Sequence, residues 1–330
     1  MSVHFYQNVC KVIWSAHHIM RTDPCRRFTF GITVEDSQMR LWFFARSHVM
    51  VTHPFNFLIV SVPIIAVSGD VGLTSDKDLE TVIHIFTSLI FADTESLGFD
   101  PTVSRIQIDN EIRYKFRVGE DFYITTETLS DHAADFIHGR GTRVFKAYSD
   151  SDPTRSVVLK DVWLEDDRTE EGSLLESLRA AMVEMQTQGT VFPGNKDPSA
   201  YFLTVSAHGR VKVSGQTEDH TTNVMMRGSS LPSDLDYFTT PRRRASQVRD
   251  SHAIGSDRGY SVGHTPVVSR DVAALLHANL PRKSPRFQAR IHYRIIFNEV
   301  GRTIHNLHNL SDVHKCLVDV TIGVFPYRFP

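Results

Sequence analysis

Apolar residues in this chain alternate with polar ones in some stretches and recur at helical spacing in others. Residues 28–34 (FTFGITV) and 40–46 (RLWFFAR) are aromatic and β-branched. With Glu35, Asp36, Ser37 and Gln38 between them, they predict a hairpin. A helix is expected over about 77–92, because Leu79, Val82, Ile83, Phe86, Leu89 and Ile90 share one face, and Ser75 or Asp76 can cap it. Ile112, Tyr114, Phe116 and Val118 then alternate, followed by Phe122 and Ile124. Breaks at Asp109-Asn110 and Gly119-Glu120 make this a meander.

From Ser130 a second unit is expected. It has strand-like runs at 143–148, 156–160, 201–206 and 291–297, and a helix over about 170–186 striped by Leu174, Leu175, Leu178, Met182 and Met185. The fold class is therefore α+β, divided as a unit over 1–129 and a second over 130–330. Residues 214–286 are rich in Ser, Thr, Asp, Arg, His and Gly and lack apolar periodicity. They are expected to be a disordered insertion between two strands. Within them Arg242 to Arg244 precede Ser246, which reads as a solvated loop, as a phosphorylation site for a kinase that prefers basic sequences, or as a small docking patch.

Composition narrows the classes. The 330 residues are 41% hydrophobic, enough for a sizeable core, and the formal net charge of −2 gives no global reason to expect nucleic acid or membrane binding. Cys10, Cys25 and Cys316 are too few and too scattered for a disulfide framework, which suits a reducing compartment. Residues 1–20 hold no apolar signal-peptide core, and the run Phe57 to Val67 is too short to span a bilayer and contains Pro63. An intracellular, soluble protein is expected. Among its 17 histidines there is no HExxH, and no cysteine pair has zinc spacing, so no metal site is expected. A hydrolase elbow, GxSxG, is also absent.

Four features occur in the order needed to hold a nucleotide. Gly139 and Gly141, in HGRGTRV, allow either an ordinary turn or a tight loop whose N–H groups face phosphates, with Val144 capping an adenine. Lys160 ends the apolar run VVLK, either as a snorkelling edge residue or as an ammonium aimed at phosphates. Glu171 shares a helix face with Leu174, Leu175 and Leu178, whereas Glu176 lies roughly 140° away. A carboxylate on an apolar stripe needs a partner, and Lys160 is the natural one, although Glu170 and Glu171 also suit a helix N-terminus. Last, the strand ending at Phe297 runs into Asn298, Glu299, Val300 and Gly301, a short polar connector.

On these residues the chain resembles the fungal-type protein kinases. The matching stretches are RRFTFGITVEDSQMRLWFFARSH, PFNFL, LGFDPTV, GRGTRVFKA, VVLKDVWLEDD, YRIIFNEVG and SDVHKCLVDVTIG, in family order from about Arg26 to Gly323. The resemblance implies a kinase-like N-terminal lobe, an antiparallel sheet plus one helix, preceded by a smaller α+β unit. It implies ATP and Mg²⁺ as ligands and transfer to Ser, Thr or Tyr of a protein substrate. It makes Gly139 and Gly141 phosphate-loop glycines, Lys160 the phosphate lysine, Glu171 its helix partner, and Asn298, Glu299 and Val300 the hinge. The sequence departs from the family at Thr142, where a third glycine is usual, and at residues 59–72, which interrupt the match. After SDVHKCLVDVTIG the family continues into an HRD-type catalytic loop and a metal-binding aspartate motif. Neither occurs here. The chain is therefore expected to lack most of the C-lobe and to be inactive alone, like a pseudokinase. The alternative is a non-catalytic module that binds a nucleotide or a partner.

Overall fold

The computed structural model describes residues 3–57, 76–189, 202–214, 217–229, 288–301, 307 and 309–324. The chain opens with a helix that the sequence reading overlooked, α1 (Val3–Thr22). Its buried residues Phe5, Val9, Ala16 and Met20 form one stripe at helical spacing. That stripe lies on the expected hairpin, β1 (Phe28–Glu35) and β2 (Gln38–Ala45), against Trp42 and Phe44. The hairpin pairs in full register from Phe28↔Ala45 to Glu35↔Gln38. Its two-residue turn places Asp36 at φ 52°, a left-handed position that aspartate tolerates. The short strands β3 (Val49–Val51) and β4 (Phe55–Asn56) both pair with β2.

Next comes α2 (Asp76–Phe91), close to the expected bounds; Ser75 lies outside the described residues. Among the described residues its apolar face is only partly covered: Leu79, Val82 and Leu89 are half-buried, and Ile83, Phe86, Ile90 and Phe91 are exposed.

A seven-stranded antiparallel sheet dominates the molecule. Its strands are β5 (Val103–Ile108), β6 (Glu111–Val118), β7 (Asp121–Ser130), β8 (Arg143–Ser149), β9 (Asp152–Glu165), β10 (Val205–Arg210) and β13 (Arg290–Phe297). The spatial order is β10-β13-β9-β8-β7-β6-β5. The meander and four of the expected strands are here, with three changes. β5 was not anticipated. β9 extends well beyond 156–160 at both ends. The strand expected at 201–206 lies at Val205–Arg210. Residue 130, the expected start of the second unit, falls inside this sheet: β7 ends at Ser130 and pairs with β8, Ser130 opposite Val144.

The helix α3 (Glu171–Thr187) packs on one face of this sheet. Gly172 and Met182 are its buried residues, and Leu175 packs against the sheet. Leu174 points to solvent, a correction to the expected stripe: neighbouring helical residues are rotated by about 100°, so Leu174 and Leu175 do not face inward together. The expected insertion is also corrected at its start. β11 (Lys212–Val213), β12 (Thr217–Glu218) and a π-helical turn at Thr221–Met225 are ordered, with Asp219 and Thr221 fully buried. Residues 230–287, including Ser246, lie outside the described residues. The last helix is α4 (Leu310–Val324). Among the described residues no helix is long and apolar enough to cross a membrane.

Candidate functional site

Alternate residues of a strand point to opposite faces, so the central sheet has two distinct sides. On β9, Val158, Lys160, Val162 and Leu164 look toward α3, while Val157, Leu159, Asp161 and Trp163 look the other way. The α3 side holds one apolar cluster: Val158, Val162, Leu164, Tyr293, Ile295 and Phe297, with Leu129, Val144 and Leu175 packed against it. Lys160 stands in this cluster, opposite Val144 on β8 and Ile295 on β13.

Glu171 is the first residue of α3, and its carboxylate forms an ion pair with the Lys160 ammonium. The start of the helix is fixed by several ties. Tyr293 Oη accepts the Gly172 N–H at 2.9 Å, satisfying an amide that the first turn leaves without a helical partner. Burial pushes the Tyr293 phenol above its usual pKa, so it remains a neutral hydroxyl. Gly172 is needed because the His208 ring packs where its Cβ would be, at 2.3 Å. His208 Nε2 lies 3.2 Å from Glu176, and Glu170 accepts from Arg210 Nε at 2.6 Å. The sequence reading missed Gly172, Tyr293, His208 and Arg210. Their residue types carry no periodic or motif signal; only the fold brings them together.

The connector after β13 is tied back to the chain ahead of β10. The Asn298 N–H donates to Thr204 O at 2.9 Å, and the Glu299 carboxylate accepts from Thr204 N at 2.7 Å. Burial raises the Glu299 carboxyl, but the Thr204 hydrogen bonds outweigh it and hold its pKa below the usual range. Val300 is exposed.

Gly139 and Gly141 lie in the long connection from β7 to β8. Gly139 sits at φ 138° and donates its N–H to Arg46 O at 2.9 Å. Gly141 sits at φ 52°, and a Cβ there would meet Arg46 Nε at 2.6 Å. Arg140 O accepts from Trp163 N at 2.8 Å, so this segment runs on from β8 alongside the end of β9. Gly141 thus has two structural reasons to be glycine, its left-handed backbone and the guanidinium stacked on it.

The opposite side of the sheet buries a set of charges. His292 places Nε2 at 2.8 Å from Asp161 and Nδ1 at 3.1 Å from Asp219. Arg294 reaches Asp161 at 2.8 Å and Asp100 at 2.6 Å, and Arg27 holds Asp219 at 2.9 Å. The His292 ring stacks on Trp163 with centroids 4.3 Å apart. Burial disfavours the charged imidazole, but Asp161 and Asp219 outweigh it and raise its pKa to about 9. Asp161 is shifted the other way: burial raises it, and His292 and Arg294 more than reverse that.

A Lys–Glu ion pair set between an antiparallel sheet and a helix also occurs in protein kinases. The comparison with known families agrees at the level of family. The model for Fungal protein kinase matches residues 2–325, nearly the whole sequence, and the chain belongs to that family. No curated protein and no solved structure matches it. The family implies ATP and Mg²⁺. Among the described residues no group of three or more His, Cys, Asp or Glu is placed to hold a metal ion.

Proposed function

We propose that the α3 side of the sheet is a nucleotide site of the protein-kinase type, and that β7 to β13 with α3 correspond to a kinase N-terminal lobe. The observation that carries this reading is the Lys160–Glu171 ion pair, on the same side as Val144 and Val158. The pair is only partly buried: the Lys160 side chain is 20% exposed, so its ammonium is within reach of an anionic ligand while Glu171 holds it in place. Val144 and Val158 supply an apolar ceiling for an adenine, and the Asn298–Val300 connector supplies backbone groups at its edge. Bound ATP would bring phosphates whose charge Lys160 neutralises. No protein metal site is part of the proposal, because the described carboxylates do not form one. Transfer to Ser, Thr or Tyr also requires a catalytic base and metal-binding carboxylates. HRD-type and DFG-type motifs are not among the 330 residues, so the proposal for these residues is nucleotide binding.

A ligand that binds only the folded state raises the melting temperature in proportion to the logarithm of its concentration over Kd. The test is a thermal-shift and calorimetric titration of the full chain with MgATP. Binding is expected for the wild type, with affinity at least tenfold weaker in Lys160→Met. A wild-type chain whose melting does not respond to millimolar MgATP sinks the proposal. The alternative of a partner-binding module would then be the better account.

A further inference from the structure

The N-terminal hairpin reaches into the glycine segment through one side chain. Arg46, the residue after β2, is fully buried. Its guanidinium donates to Phe136 O, to Ile137 O at 3.4 Å and to Met20 O at 2.9 Å. Its own carbonyl accepts the Gly139 N–H. The end of the same connection is tied in as well, since Arg143 donates to Met20 O, and Arg21 pairs with Asp131 and Asp135 near its start. Arg46 lies on the side of the sheet that carries Arg143 and Asp161, the groups whose charges it feels most, and burial brings its pKa down to about 9. Lys160 points to the other side.

In a trans peptide the carbonyl and the following N–H point in opposite directions. Two successive carbonyls drawn toward Arg46 therefore turn the N–H groups of Ile137 and His138 away from it. We infer that Arg46 is a positioning residue for phosphate binding: it orients the 136–137 and 137–138 peptide units so that the Ile137 and His138 amides face the side of the sheet where Lys160 stands, while the Gly139 amide is held by the Arg46 carbonyl. This rests on the nucleotide reading above and extends it. The donors to a phosphate are set by a side chain from the N-terminal hairpin, not by the glycines alone. A lysine cannot replace the arginine here, because one ammonium on a flexible stem does not reproduce a planar fork gripping three carbonyls.

The experiment compares MgATP with adenosine on the full chain, using wild type, Arg46→Lys and Gly141→Ala. The Gly141 variant displaces the guanidinium from the loop side and keeps its charge. Amide hydrogen exchange over residues 131–142 is measured on each protein without nucleotide. In either variant the Kd for MgATP is expected to rise about tenfold, the value of one charged hydrogen bond. Adenosine affinity should stay within about twofold, and exchange over 131–142 should quicken. A merely structural role would weaken adenosine and MgATP together, and that result overturns the inference, as does an unchanged MgATP affinity. If one variant does not fold, the other decides. If the wild type binds neither ligand, the nucleotide reading has failed, and hydrogen exchange still judges the clamp: unchanged exchange over 131–142 in both variants overturns it.

Discussion

His292 sits where the buried charges cross, with a carboxylate facing each ring nitrogen. Both nitrogens must donate, so the ring is held as a cation among Asp161, Asp219, Asp100 and Arg294. Its pKa is about 9 in the folded chain against 6.5 when unfolded. The raised value stabilises the fold fully below about pH 6.5, and that contribution is lost as pH rises through 9. Integrated over that window it amounts to about 3 kcal/mol. Denaturant unfolding should therefore show stability falling between pH 6.5 and 9 in the wild type. His292→Gln should be less stable at pH 6.5 and nearly flat over the same window. A wild-type profile with no slope there would remove the buried cation from the account. None of these charges was singled out from sequence. Lys160 and Glu171 were, because an ammonium after an apolar strand and a carboxylate on a helix stripe each ask for a partner within the local chain. Arg27 and Asp219 meet across 192 positions, and nothing near either residue announces the other.

At the scale of single elements, Tyr293 and His208 fix the start of α3, in addition to its packed Leu175 and buried Met182. Tyr293→Phe removes the acceptor for the Gly172 N–H and leaves a buried amide unpaired. The expected cost is about 1–3 kcal/mol in unfolding free energy, with faster exchange at the first turn of α3. Unaltered exchange at Gly172 would show that the helix start is held by other means. The hairpin of β1 and β2 was legible because two aromatic runs flank a polar turn, a local signal. The stripe of α1 was equally present in the sequence, but Lys11, His17 and His18 between its apolar positions gave the segment a polar look, and its period was not read. β5 was missed because Arg105 and Gln107 face solvent on an outer strand, which leaves a short run without a continuous apolar signature.

For the whole molecule, the main consequence is that strands on both sides of residue 130 share one sheet. The first 129 residues also supply two members of the buried charge set: Asp100 to Arg294 and Arg27 to Asp219. Residues 130–330 alone would keep Arg294 and Asp219 but lose those partners, and breaking a buried pair costs about 3–5 kcal/mol. They would also uncover Phe145, Val157 and Leu159, which pack with Cys25, Val103 and Phe116. A fragment of residues 130–330 is expected to give no cooperative melt by circular dichroism, whereas the full chain does. A cooperative transition in the fragment would establish residue 130 as a true boundary. That expected division followed the change from meander to strand-helix-strand pattern. Such a change marks where local elements alter, and a hydrogen-bonded ladder such as that of β7 with β8 passes over it unseen.

The buried charges also bear on how the chain is made. Asp100 and Arg294 are separated by 194 positions. At translation speeds of about 5–20 residues per second, roughly 10–40 s pass between their syntheses. Throughout that interval the early strands must wait with Asp100 lacking its arginine, in water, where an exposed charge costs little. The same residues that lock the finished sheet would thus keep the unfinished chain hydrated on the ribosome, delaying closure of that face until β13 arrives.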